Sequence, residues 1–188
     1  MNWRVARLVI IIVSVVSFAA IGFRQNRSDN VPLIKNPMPN VQTMKITSQA
    51  FDDGGAIPSK YTCDGENINP PLEIASVPEG TKSIAFIMED PDAPLGIWVH
   101  WVKWNIPPET KIIEKGKEPP GVSGKGTSGN LSYEGPCPPN DVHHYIFRVY
   151  ALDTELALQS GASKKDLESA MEGHILGKGE LVGLYSRQ

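Results

Sequence analysis

The sequence predicts a mainly β, sandwich-like domain over residues 43–188, and three observations predict it. Several segments alternate apolar and polar residues with a period of two, as half-buried strands do. The 17 glycines and 16 prolines cluster between those segments, where they set turns rather than forming a repeat. Only one stretch carries a helical period.

Taken in order, Met44 and Ile46 alternate with polar neighbours and open the domain. In Ser83–Glu89, Ile84, Phe86 and Met88 share a face. In Trp98–Ile106 (WVHWVKWNI), alternation places Trp98, His100, Val102, Trp104 and Ile106 on one side. In His143–Leu152 (HHYIFRVYAL), it groups His143, Tyr145, Phe147, Val149 and Ala151, with His144, Ile146, Arg148 and Tyr150 opposite. Ser163 is placed to cap a helix, with Asp166 completing a capping box. Leu167, Ala170 and Met171 line the helix's inner face, and Gly177 offers a stop. Glu180–Tyr185 forms a final short strand.

Residues 1–24 stand apart. Leu8–Phe23 (LVIIIVSVVSFAAIGF) carries no charge, with Arg4 and Arg7 before it and Arg24 and Arg27 after it. The run falls between a signal-peptide core and a full membrane span of roughly 20 residues. It predicts either a cleaved signal peptide or a retained N-terminal anchor. The leading arginines predict that the remainder is exported, to a periplasmic or extracellular location. Residues 25–42, polar with Pro and Asn, form a linker.

A formal charge of −3 excludes a general nucleic-acid binder, because no basic stripe is available to neutralise phosphates. The two cysteines, Cys63 and Cys137, make a disulfide candidate in an exported domain, with two free buried thiols as the alternative. No Cys or His grouping has zinc spacing, so neither a metal nor any other cofactor is expected. The Gly121–Gly129 stretch lacks phosphate-loop spacing, and no G-x-S-x-G nucleophile elbow occurs.

Two segments draw attention for chemistry. Asp90-Pro91-Asp92-Ala93-Pro94 holds two carboxylates in a turn stiffened by two prolines. Gly135-Pro136-Cys137-Pro138-Pro139 forms a second stiff segment shortly before His143 and Tyr145, which point to the same strand face. With His100, these residues suggest a pocket. His174, near the end of the helix, reads as a helix-end residue. The sequons at Asn26 and Asn130 matter only in a glycosylating host.

These residues sit in four ordered motifs: Tyr61-Thr-Cys-Asp-Gly-Glu-Asn-Ile-Asn-Pro-Pro; Glu89-Asp-Pro-Asp-Ala-Pro with His100-Trp-Val-Lys-Trp-Asn-Ile-Pro; Gly135-Pro-Cys-Pro-Pro; and His143-His-Tyr-Ile-Phe-Arg-Val-Tyr-Ala-Leu-Asp. From about Ile46 to Tyr185 the chain resembles the phosphatidylethanolamine-binding proteins, also called Raf-kinase-inhibitor-like proteins, and within them the bacterial and archaeal branch. The resemblance implies two antiparallel sheets with one or two short helices and a small cavity at one edge. It also implies that Asp90, Asp92, His100, His143 and Tyr145 line the cavity, with Gly135 and Pro138 shaping its rim. One departure is His143-His144-Tyr145, where the family usually has His-Arg-Tyr. By alternation His144 points away from the pocket, so the change is expected to spare it.

Imidazole N–H and phenol O–H groups can donate to phosphate oxygens, and carboxylates can orient the histidines or accept from an ammonium. The expectation is non-enzymatic binding of a small anionic or phosphate-bearing ligand, such as a phospholipid headgroup. One alternative is a protein module that inhibits a protease or kinase, as some relatives are thought to do. Another is a hydrolase using His and Asp as acid and base.

Overall fold

The computed structural model describes residues 41–187. The expected signal peptide or anchor and most of the linker lie outside the described residues. Strands run β1 (Gln42–Thr43), β2 (Lys45–Ser48), β3 (Gly55–Ala56), β4 (Leu72–Ala75), β5 (Ser83–Asp90), β6 (Trp98–Ile106), β7 (Ile112–Ile113), β8 (Val122–Ser123), β9 (His143–Leu152) and β10 (Ile175–Tyr185). Among the described residues, one helix, α1 (Lys164–Met171), and a 3-10 turn at Ser59–Tyr61 complete the set. Among the described residues no helix is long and apolar enough to cross a membrane.

The larger sheet has the order β1-β10-β9-β5-β6-β8, with β3 also paired to β10. The smaller has the order β2-β4-β7. Pairing among β10, β9, β5, β6 and β8 and within the smaller sheet is antiparallel, whereas β1 and β3 lie parallel to β10. The mainly β, two-sheet architecture with one short helix is therefore present, with two short parallel additions at β10.

Strand β5 is buried at every residue because the large sheet is covered on both faces. On one face Phe86, Met88, Trp101, Phe147 and Leu181 pack against Met44, Ile46, Leu72, Ile74 and Ile113 around the smaller sheet. On the other, Ala85, Ile87, Val102 and Trp104 are covered by Leu156, Leu167 and Met171, the last two from α1. The Ser163 side chain accepts from the Asp166 N–H while the Asp166 carboxylate accepts from the Ser163 N–H, so the capping box forms.

Three local expectations need correction. The expected single face of β6 is broken by β-bulges. Met88 pairs with Trp101 and the next residue, Glu89, with Val99, so His100 is an extra residue. His100 and Trp101 therefore turn to the same, inter-sheet side. Val102 and Trp104 face the helix side instead. A second irregularity, where Asn105 adopts φ 53°, returns Ile106 to the inter-sheet core.

Helix α1 stops at Met171, with Gly173 as the left-handed residue, whereas Gly177 lies within β10. β10 is also longer than Glu180–Tyr185. Its glycines permit close approach: a Cβ on Gly179 would lie 2.7 Å from the Met44 carbonyl oxygen, and one on Gly183 would lie 2.5 Å from the Ile57 side chain.

Candidate functional site

In this antiparallel arrangement the C-terminal end of β5 and the starts of β6 and β9 lie at the same end of the large sheet's central strands. Asp90, Trp98, His100, His143 and Tyr145 consequently meet there. Loop residues Ala93, Pro94 and Leu95 and the segment from Glu134 to Pro139 close a cavity of about 310 Å³ around them.

The polar groups are tightly organised. His143 Nδ1 donates to Asp90 Oδ2 at 2.7 Å, and both residues are buried. The Asp92 N–H donates to Asp90 Oδ1 at 2.8 Å. The Asp90 carboxylate thus fixes both the imidazole and the turn that follows it. His100 Nδ1 donates to the Glu134 carbonyl oxygen at 2.9 Å. His100 Nε2 and the Tyr145 hydroxyl are buried and have no hydrogen-bond partner among the described residues. The two rings meet edge to face, with centroids 5.3 Å apart.

Burial pushes the His100 imidazole below its ordinary pKa, against the opposing effects of the Glu134 carbonyl and the Glu134 and Asp90 charges. Burial first, and then the Asp90 carboxylate, drives the Tyr145 phenol well above its ordinary value. The phenol accordingly retains its proton and can donate.

The Gly135–Pro139 segment is held in place by the Tyr61 motif. Cys63 N–H donates to the Pro136 carbonyl oxygen at 3.0 Å, and a disulfide joins Cys63 to Cys137. The Gly135 N–H donates to Asn67 Oδ1 at 2.8 Å, and a Cβ on Gly135 would lie 2.6 Å from both that oxygen and the Tyr61 carbonyl oxygen. The Tyr133 hydroxyl donates to the same Tyr61 carbonyl at 2.7 Å. Only glycine fits at this point of the wall.

Of the residues expected at the cavity, Asp90, His100, Gly135, Pro138, His143 and Tyr145 line it. Asp92 does not. Its Oδ2 accepts from the His144 N–H at 2.8 Å and from His144 Nδ1 at 2.7 Å, on the exposed side of β9. His144 does point away from the pocket, and it carries Asp92 with it. The His144 main-chain N–H first, and then its side chain, hold the Asp92 carboxyl below its usual range.

Sequence reasoning missed Trp98, Leu95 and the Glu134 carbonyl. Alternation places Trp98 on the right strand, but nothing in its spacing separates cavity lining from core. A main-chain acceptor leaves no mark on residue type. Leu95 is 98% exposed at the rim, and an exposed apolar residue between two prolines and a strand gives no periodic signal. Among the described residues no cluster of three or more His, Cys, Asp or Glu could hold a metal ion.

A family model described as phosphatidylethanolamine-binding protein matches residues 47–186. A UPF0098 protein of Methanothermobacter thermautotrophicus is 55% identical over 150 residues, covering 77% of this chain and 99% of that protein. The crystal structure of CT736 from Chlamydia trachomatis, described as a phosphatidylethanolamine-binding protein homologue, is 41% identical with a TM-score of 0.76. It covers 78% of this chain and 99% of its own. That of Escherichia coli YbcL, described as a new member of the mammalian family, is 30% identical with a TM-score of 0.72, covering 77% and 99%.

Proposed function

Because the chain belongs to the phosphatidylethanolamine-binding protein family, we propose that its cavity binds a small phosphate-bearing or other anionic ligand without transforming it. The observation that carries this reading is the pair of buried, unpartnered polar atoms, His100 Nε2 and the Tyr145 hydroxyl, beside a 310 Å³ cavity. Buried polar groups without partners are costly, and a ligand that satisfies both gains affinity from a penalty the empty protein already carries.

His143 supplies a third group, oriented through Nδ1 by Asp90 so that its other nitrogen remains for the ligand. Engagement of both Asp90 oxygens moderates the repulsion that a bare carboxylate would impose on phosphate. An ammonium group on the same ligand would find a counter-charge in Asp90. The Cys137 sulfur in the cavity wall is bonded to Cys63, which favours binding over covalent chemistry at that atom.

Exposed Leu95 at the rim favours a second reading, in which the anionic group is presented by a protein partner. A pull-down that survives His100→Ala and His143→Ala would place that partner on the surface instead of in the cavity. We further propose export of the domain, a reading the disulfide supports. Mass spectrometry of the native protein tests it through the mature N-terminus.

The ligand reading is tested by titration calorimetry with phosphoethanolamine at pH 5.5 and pH 8. Binding is expected to be about tenfold tighter at the lower pH, where a phosphate monoester with a second pKa of about 6 is largely its monoanion. Equal affinity at both values would count against it.

A further inference from the structure

His100 is held by a contact that determines what its free nitrogen can do. Nδ1 lies 2.9 Å from the Glu134 carbonyl oxygen. A carbonyl oxygen only accepts, so Nδ1 carries the hydrogen. In a neutral imidazole the other nitrogen then holds a lone pair, and burial favours the neutral ring. Nε2 is itself buried and has no partner among the described residues.

The groups facing this ring come from every element around it. Asp90 ends β5, Tyr145 and His143 lie on β9, and Glu134 comes from the wall segment. Among the described residues none of them supplies a hydrogen to Nε2. The two Asp90 oxygens accept from His143 Nδ1 and the Asp92 N–H. The Tyr145 hydroxyl, close to the Asp90 carboxylate and the Cys137 main chain, makes no hydrogen bond of good geometry among the described residues.

We infer that His100 is a specificity-determining residue: its Nε2 lone pair requires the bound atom to bring a hydrogen, while the Tyr145 hydroxyl donates to a second atom of the same ligand. The ligand class is then a singly protonated oxyacid, such as hydrogen phosphate or a phosphomonoester monoanion, rather than a fully deprotonated tetrahedral anion such as sulfate. Sulfate in the same place sets lone pair against lone pair, or forces a proton onto a buried imidazole. This rests on the reading of the cavity as an anion site, and it adds the protonation state that the site selects.

The test compares inorganic phosphate with sodium sulfate by titration calorimetry on the wild-type chain at pH 7 and matched ionic strength. Phosphate is expected to bind at least about tenfold more tightly, the scale of leaving one buried acceptor without a donor. In His100→Gln the side-chain amide can turn an N–H toward the ligand. The preference should then fall to within about twofold, with phosphate still bound.

Equal affinities in the wild type, or a preference for sulfate, overturn the inference while leaving an anion site in place. An undiminished preference in folded His100→Gln overturns the role of His100. If His100→Gln does not fold, the wild-type ratio alone decides. Binding of neither ion at tens of millimolar overturns the anion reading itself, and this inference with it.

Discussion

The His100 imidazole and the Tyr145 phenol meet edge to face at 71°, and each ends in a buried polar atom with no partner among the described residues. They reach each other from β6 and β9, which flank β5 in the sheet. The bulge at His100 makes the contact, because it turns His100 to the same side as Trp101 and toward Tyr145.

Removing the Tyr145 hydroxyl should therefore have opposite effects on the empty and the loaded protein. Tyr145→Phe removes an unsatisfied buried group, so stability in urea is expected to be unchanged or to rise slightly. Affinity for phosphoethanolamine should fall about tenfold, since the ligand loses a donor that the high phenol pKa keeps protonated. A variant that loses stability and retains affinity would show that the hydroxyl serves the fold.

The disulfide closes a loop spanning a sequence separation of 74 residues. On the chain-entropy account its loss costs about 4 kcal/mol. The double variant Cys63→Ser, Cys137→Ser should unfold at markedly lower urea. Its ligand affinity should also weaken, because Cys137 forms part of the cavity wall. Urea melts and calorimetry on the oxidised, reduced and double-variant proteins check both effects.

The Asp92–His144 contact is predicted to stabilise the protein at neutral pH, to lose that contribution at acid pH, and to leave the ligand unaffected. The Asp92 carboxyl is held below its unfolded value, chiefly by the His144 N–H. Its contribution is then present above the unfolded carboxyl pKa of about 3.9 and lost as pH falls through the lower folded value. Asp92→Asn should destabilise the protein at pH 7 by about 0.5–1 kcal/mol, and the difference should shrink toward pH 2.5. Ligand affinity should stay within about twofold of wild type. A difference independent of pH would point to packing instead of charge.

Ser163→Ala tests the far side of the large sheet. Loss of the cap should cost about 1 kcal/mol, read as a lower unfolding midpoint, with ligand binding unchanged.

How much of this was legible in the sequence depended on whether local periodicity survived folding. In β9 it did: alternation from His143 to Ala151 matches the buried face residue by residue. In β6 the bulges break it, and a bulge follows from pairing with β5, which one strand's residues do not encode. The glycines of β10 look like strand breakers until Met44 and Ile57 are packed against them. The carboxylates of Asp90 and Asp92 were indistinguishable in a rigid D-P-D turn. Their separation arises because β9 offers a buried imidazole to one and an exposed main-chain N–H to the other. The cysteine pair left both a disulfide and two thiols open, since a sequence separation of 74 says nothing about distance in space. The Glu134 carbonyl, which sets the hydrogen on His100, is invisible in residue identity.

The four histidines allow the most direct test of the central claim. Two, His100 and His143, line the cavity, while His144 and His174 pair on the surface with Asp92 and Asp153. In a protein labelled with nitrogen-15 at histidine, titration with phosphoethanolamine should shift the ring resonances of His100 and His143 along one saturating curve. Those of His144 and His174 should stay fixed. Saturable shifts confined to His144 or His174, or no shift at any of the four, would contradict the account.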